Sequence, residues 1–292
     1  MNNNEIIKKY SEVFDCLINR GKKSFDYIKD SEFNKDECYG LFLLFSTFLA
    51  YADSYKNLLM IPNFRGMQVI LRSLLECYAH LEYMLEKNIL ERATVYQIYY
   101  ANERIEWLKK LDPTSIIGKE FNSQLKKTKY VSELSLPNVN TSKEIDSISK
   151  RLQQPPYNEI YKKINMKNKK WYSYNNGPKK IKNLFEHLGL NALYEIHYKI
   201  LSEIAHASDA YTNNIQTYKG EIVISDIHHF DEYSFKALTG LALSIIQEVL
   251  FQYTSKILPK YHERYLRFLK NIYFPKKIKY FDKIDLSRGT SE

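Results

Sequence analysis

Two stretches of the sequence decide its fold: Val69–Leu85, VILRSLLECYAHLEYML, and Leu193–Ser208, LYEIHYKILSEIAHAS. Both are largely apolar, and in each a narrow row of polar residues recurs every fourth position. The two rows are Arg72, Glu76 and His80 in the first stretch, and Tyr198, Ser202 and His206 in the second. Because four residues advance an α-helix by about 40° beyond a full turn, each row forms one stripe. The pattern predicts two helices whose polar stripes face each other.

The remainder of the chain is also typical of a helical protein. Apolar residues with helical spacing predict helices over residues 3–30, 40–60, 64–87, 90–111, 179–187, 191–206, 231–256 and 261–273. Gly189 is expected to cap the helix that ends near His187. The alternating segment IQTYKGEIVIS predicts a hairpin. The predicted fold is all-α, a multi-helix bundle of long helices with one small β-hairpin insertion near residues 215–225.

The sequence contains no repeat or change of composition that requires a domain boundary. We therefore predict a single helical domain over residues 1–275, with a weakly ordered polar region at about 114–170 that holds two or three short helices. A basic C-terminal tail is predicted for residues 276–292. The core is expected to come from Leu41–Leu49, Leu71–Leu85 and Leu241–Leu250, because these segments are the most apolar.

Composition indicates a cytoplasmic protein. Cys16, Cys38 and Cys77 lack the spacing of a metal site, and their odd number favours free thiols in a reducing compartment. The N-terminus has no apolar signal core, and the longest uncharged run, residues 38–52, is short for a bilayer span, so we predict no membrane insertion. The net charge of +9 mildly favours nucleic acid or an anionic surface as a partner.

Arg72 and Glu76 allow two interpretations. The pair lies opposite a broad apolar face, so it could be an ordinary ion pair on a solvent face, which stabilises a helix by only some tenths of a kcal/mol. Alternatively, it could lie in a seam between helices, where Glu76 would orient Arg72 to hold an anion. In the second case we expect both side chains to be largely buried against the Tyr198–His206 helix.

His206 is the leading candidate for acid–base chemistry, with a structural contact between helices as the alternative. It lies near the end of its helix, where the dipole favours a cation, and small residues surround it. The predicted catalytic residues are His206, Arg72 and Glu76. The predicted substrate-binding residues are Tyr198, Ser202, Ser208, His80 and Trp171.

We predict neither a metal nor a cofactor. Glu203 and His206 have the E-x-x-H spacing of carboxylate-bridged metal bundles, but the facing helices offer no second pair. The sequence also lacks a phosphate-binding glycine loop, a dinucleotide fingerprint and a nucleophile elbow.

The order of these features resembles a bacterial, all-helical family of uncharacterised proteins over roughly residues 40–255. It consists of an R-x-x-x-E helix, a Trp-containing loop, and a Y-x-x-x-S-x-x-x-H helix followed by A-S. The matching residues are Arg72, Glu76, Trp171, Tyr198, Ser202, His206 and Ser208. Families of this kind occur among phage-defence and toxin-like proteins.

The combination of a basic residue with a helical His also resembles the HEPN group of helical, metal-independent ribonucleases. Their motif places an Arg shortly before the His on the same helix. Here Lys199 stands seven residues before His206, and Arg72 comes from another helix.

Two functions follow as hypotheses. The first is an RNA-cleaving effector of a bacterial defence or toxin-like system, with single-stranded RNA as substrate and no metal. The second is a non-catalytic sensor or scaffold that binds a small anionic ligand or a partner protein. A homo-oligomer is expected in either case.

Overall fold

A computed structural model describes residues 3–61, 63–127, 141–164, 170–206, 215–218, 221–224 and 232–281. Within these ranges the chain is overwhelmingly helical, which confirms the all-α, multi-helix prediction. The first seven α-helices are α1 (Asn3–Ser24), α2 (Tyr39–Met60), α3 (Phe64–Glu86), α4 (Ile89–Leu111), α5 (Ile116–Lys127), α6 (Thr141–Leu152) and α7 (Asn158–Lys163). The others are α8 (Ile181–His187), α9 (Asn191–Leu193), α10 (Lys199–Ala205), α11 (Glu232–Ile257), α12 (Pro259–Phe268) and α13 (Phe274–Phe281).

Tighter and wider helical turns link several of these helices. The 3₁₀-helical segments are Phe25–Asp30, Asp36–Cys38 and Trp171–Asn176. Two π-helical segments, Tyr194–Tyr198 and Leu269–Tyr273, join α9 to α10 and α12 to α13. Residues 191–205 therefore form a helix with a wide turn in its middle. Strands β1 (Ile215–Tyr218) and β2 (Glu221–Ile224) pair antiparallel, with Ile215 opposite Ile224.

Local chemistry explains where two helices begin and end. At the start of α3, Asn63 Oδ1 accepts a hydrogen bond from the Gly66 amide at 2.8 Å, which satisfies a free helix N–H. After α8, Gly189 adopts φ +71°, and the Leu190 amide donates to the Phe185 carbonyl at 2.8 Å. This is a Schellman end, for which glycine is the favoured residue, and the predicted cap is confirmed.

The contacts divide the chain into two compact units. The first unit comprises Met1–Lys35, Leu41–Lys87 and Ile181–Glu292, and the second comprises Asp36–Gly40 and Asn88–Lys180. The predicted single domain of residues 1–275 remains a prediction, since compact units need not unfold separately. The predicted tail differs in its first part, because α13 makes residues 276–281 helical. Residues 282–292 lie outside the described ranges.

The core of the first unit includes the predicted segments, and α1 adds the fully buried Val13, Phe14 and Leu17, which were not predicted as core. α3 packs on α11 and on α10, and α1 packs on α11. On α2, Phe45 is fully buried and stacks on Tyr253 of α11 with ring centroids 3.9 Å apart. Within Ser234–Ile257, α11 is long and apolar enough to cross a membrane, but half of that window is buried inside the fold. The buried half of that window belongs to the core of the first unit.

The second unit has its own core around α4. Ile98, Ile105, Leu152 and Tyr157 form a buried cluster. The three helices α5, α6 and α7 all contact α4, so the region predicted as weakly ordered contains the short helices expected of it. Residues 128–140 and 165–169 of that region lie outside the described ranges.

Candidate functional site

The predicted seam is found between α3 and the helix formed by α9, its π-helical turn and α10. One side of α3 is buried, including Leu71, Leu74 and Leu75. Arg72 and Glu76 project from the other side of α3 and are partly buried, with 24% and 30% of their side chains exposed. Both side chains are therefore more exposed than predicted, because they lie at the edge of the contact between the two helices.

Arg72, Glu76 and the Tyr198 hydroxyl form a closed triangle. Arg72 Nη1 lies 2.9 Å from Glu76 Oε2, and Arg72 Nη2 donates to the Tyr198 hydroxyl at 2.8 Å. The same hydroxyl donates to Glu76 Oε2 at 3.0 Å. Two of the three contacts join residues more than 120 positions apart in the chain. The ion pair of one helix is thus tied to the other helix through a single phenol.

Aromatic packing fixes the position of that phenol. The Tyr198 ring is 4% exposed and lies 5.4 Å from the Tyr194 ring and 5.3 Å from the Phe185 ring, centroid to centroid. Burial raises the pKa of Tyr198 above its ordinary value, the Glu76 charge adds to this, and the Arg72 charge opposes it. The hydroxyl therefore keeps its proton and continues to donate to Glu76 over the physiological pH range.

His206 lies apart from the triangle. It forms the C-cap of α10, where its amide donates to the Ser202 carbonyl at 3.1 Å, and its side chain is exposed. Among the described residues, no hydrogen bond or ion pair links the imidazole to Arg72 or Glu76. The stripe therefore passes from the buried Tyr198 in the π-helical turn through the half-buried Ser202 on α10 to the exposed His206 at its C-cap.

The other predicted substrate-binding residues have varied surroundings. His80 is half-buried on α3, one turn after Glu76. Trp171 belongs to the second unit, where it is buried and makes edge contacts with Tyr96 and Tyr172. The Trp-containing loop predicted there starts with this core residue and consists of short 3₁₀ turns with a non-helical kink at Tyr174 and Asn175. Ser208 lies outside the described residues.

Glu82 on α3 was not predicted as a site residue; its side chain is half-buried and directs one carboxylate oxygen into the fold. Burial raises the pKa of Glu82 to about 7, the Glu248 charge acts in the same direction, and the Lys256 charge opposes it. Glu82 Oε1 is buried and accepts no hydrogen bond from any described residue. The sequence signal that could have indicated this group is an acid inside an apolar run. Glu82 lies in LEYML, and Glu248 lies in the similar run IIQEVLF. Within the described ranges, no three His, Cys, Asp or Glu residues are arranged to hold a metal ion.

Comparison with known families assigns the chain to one of them. The sequence model of a family described as "Family of unknown function (DUF5677)" matches residues 39–222. The chain belongs to this family. The match starts with α2, ends within β2, and includes the seven residues on which the resemblance to an uncharacterised family was based. Neither the curated proteins nor the solved structures include a match to this DUF5677 protein.

Proposed function

We propose that this DUF5677 protein is a metal-independent, RNA-cleaving effector of a bacterial defence or toxin-like system, acting in the cytoplasm as a homo-oligomer. The observation that supports it best is the held guanidinium of Arg72, which lies on the helix seam that leads to the exposed His206. A fixed cation and an accessible imidazole on the same seam could supply the two functions that cleavage of a phosphodiester needs, charge stabilisation and proton transfer. The resemblance to HEPN ribonucleases belongs to this proposal.

The chemistry assigns one task to each residue. RNA carries its own nucleophile, the 2′-hydroxyl, so the protein needs to move protons and stabilise charge. His206 would remove or deliver a proton, and its exposure allows a strand to reach it. Arg72 would stabilise charge on the scissile phosphate, because its Nη atoms each have a second N–H beyond the bonds to Glu76 and Tyr198. Glu76 and Tyr198 would act as positioning residues.

A second candidate is favoured by the closure of the same triangle. Glu76 neutralises Arg72, and the Tyr198 hydroxyl is shared between them. Such a network can also have a purely structural role, in which it fixes the packing of two helices. Arg72 Nε, which is buried, has no partner in it among the described residues. The protein would then be a non-catalytic scaffold or sensor that binds an anionic ligand or a partner protein.

Cleavage of RNA in the presence of excess chelator separates the two candidates. Purified wild type is incubated with mixed single-stranded RNA beside His206→Ala and Arg72→Ala. The matched control is His187→Ala, because His187 is also exposed at a helix end, where it pairs with Glu86. We expect wild type and His187→Ala to cleave. The other two variants should lose at least about 100-fold in rate, because a general acid or base and a charge-stabilising donor each usually contribute this much.

Melting temperatures of the same proteins complete the test. His206→Ala should melt within a few degrees of wild type, because an exposed side chain contributes little to stability. If no protein cleaves RNA, the ribonuclease proposal fails and the scaffold candidate remains. If His206→Ala cleaves as wild type does, His206 is not the acid–base residue. Expression in a bacterial host gives a second measurement: wild type should be toxic and His206→Ala should not.

A further inference from the structure

The last helices of the first unit concentrate positive charge. Residues 259–281 contain seven Lys or Arg residues and one acid, Glu263, so they contribute +6 to the chain's net charge of +9. This stretch forms α12, the π-helical turn Leu269–Tyr273 and α13. Its exposed cations are Lys260, Arg264, Arg267, Lys270 and Lys279. A surface of this charge complements an anionic partner.

One side of these helices is buried in the first unit. The buried residues are Tyr261, Tyr265, Phe268, Leu269 and Tyr273. Lys276 fastens α13 to α1, since its Nζ lies 3.5 Å from Glu12 Oε2 and 3.8 Å from Cys16 Sγ. The buried, mostly aromatic side and the Lys276 contacts thus account for the packing of these helices on the first unit.

A second apolar stripe is nevertheless present on the outside. Leu266, Phe274 and Ile278 are 42%, 38% and 55% exposed. With Lys270 they follow one another at intervals of four residues, which keeps them on one side of the helix. The intervening π-helical turn holds more residues than an α-turn and so reduces the drift of the stripe. We call Leu266, Arg267, Lys270, Phe274 and Ile278 the C-terminal basic face.

We propose that the C-terminal basic face docks the protein on the surface of an anionic lipid bilayer. Its composition is that of an interfacial helix, with aliphatic and aromatic side chains that enter the acyl boundary and long cations that reach the headgroups. Charge complementarity selects anionic headgroups over zwitterionic ones. A nucleic acid would use the cations but would leave Leu266 and Ile278 without a role, because aliphatic side chains do not stack on bases.

Sedimentation with lipid vesicles tests this docking on the full-length protein. Binding is compared between vesicles of phosphatidylcholine alone and vesicles that also contain phosphatidylglycerol. The charge variant is Arg267→Glu with Lys270→Glu, and the apolar variant is Phe274→Ser with Ile278→Ser. Matched controls on exposed positions elsewhere are Lys126→Glu with Lys127→Glu, and Ile116→Ser with Ile117→Ser.

Wild type and both controls should bind the phosphatidylglycerol vesicles and not the phosphatidylcholine vesicles. The charge and apolar variants should each lose at least about tenfold in binding, since each cation and each buried apolar group contributes to adsorption. Equal binding to both vesicle types, or to neither, would overturn the proposal. If the apolar variant bound like wild type while RNA displaced the vesicles, the face would be a nucleic-acid surface instead.

Circular dichroism shows whether each variant keeps its helices. If Phe274→Ser with Ile278→Ser unfolds, Phe274→Trp provides a replacement measurement. Its added fluorescence, taken as the difference from wild type, should shift to the blue with phosphatidylglycerol vesicles and remain unchanged with phosphatidylcholine. An unchanged spectrum with both would reject insertion of this face.

Discussion

At the residue scale, the Tyr198 hydroxyl links an ion pair of α3 to the facing helix. Arg72 and Glu76 alone would form an i,i+4 pair on a partly exposed helix, which contributes little to stability. The buried phenol changes this, because it donates to one charge and accepts from the other. Hydrogen bonds to charged groups contribute more than neutral ones. The sequence predicted the three residues and the pairing of Glu76 with Arg72, but not the link through the Tyr198 hydroxyl.

Replacing Tyr198 with Phe should therefore destabilise the protein. The ring and its packing remain, while both hydrogen bonds to charged partners disappear, so we expect the free energy of unfolding to fall by about 1–3 kcal/mol. Urea denaturation measures this. Tyr194→Phe is the control, since Tyr194 stacks on Tyr198 in the same cluster, and it should change stability by less than about 0.5 kcal/mol. Equal effects of the two replacements would contradict the bridging role.

Glu82 should make stability depend on pH. In the unfolded chain its carboxyl has the ordinary pKa of 4.5, whereas burial and the Glu248 charge raise its pKa to about 7 in the folded state. The folded state thus binds the proton more tightly. Its stabilising effect is fully present below pH 4.5 and is lost as the pH rises through about 7, with an upper bound of about 3 kcal/mol.

Glu82→Gln tests this linkage. The neutral amide avoids a buried charge near Glu248, so the variant should gain melting temperature relative to wild type at pH 8 and gain little or nothing at pH 5. Glu32→Gln, at an exposed position, is the control and should show the same difference from wild type at both pH values. A Glu82→Gln effect independent of pH would show that the carboxyl does not titrate in this range.

At the element scale, α2 displays how closely burial follows position on a helix. Leu43 and Leu44 are adjacent, yet Leu43 is 62% exposed and Leu44 only 3%. Leu44→Ala should lower the free energy of unfolding by about 2–5 kcal/mol, since it leaves a cavity in the core. Leu43→Ala should change it by less than about 0.5 kcal/mol. Thermal or urea denaturation of the two variants measures this. Similar losses of stability for both would contradict the burial of Leu44 and the exposure of Leu43.

Helices were predictable where a local signal marks them. α3 was predicted over residues 64–87 and spans Phe64–Glu86, because Asn63 caps its start and apolar residues recur along one side. α4 was predicted over residues 90–111 and spans Ile89–Leu111. The core segments on α2, α3 and α11 were also predictable, since their apolar density exceeds that of any other segment.

Features that depend on distant contacts were not predictable. The π-helical turns Tyr194–Tyr198 and Leu269–Tyr273 have no local signature in the sequence. Trp171 was expected to be available to a substrate, but aromatic partners from other parts of the second unit bury it. Residues 276–281, which belong to the helix Phe274–Phe281, were assigned to a tail because three of these six residues are lysines.

At the scale of the whole molecule, the chain passes between its two compact units four times, at residues 35–36, 40–41, 87–88 and 180–181. Each unit has its own buried cluster, which would be compatible with separate unfolding. The repeated crossings favour the opposite behaviour. Ordering one unit fixes both ends of the segments that form the other, which reduces the loop-closure entropy that remains to be lost.

Calorimetry of two core variants decides between one unfolding unit and two. Leu75→Ala in the first unit and Ile98→Ala in the second each remove a fully buried side chain, at a cost of about 2–5 kcal/mol. If residues 1–275 are a single domain, wild type shows one transition, and both variants lower that same transition by several degrees. Ile116→Ala, at a position that is 79% exposed, should leave it unchanged. Two transitions, of which each variant moves only one, would show that the compact units are separate domains.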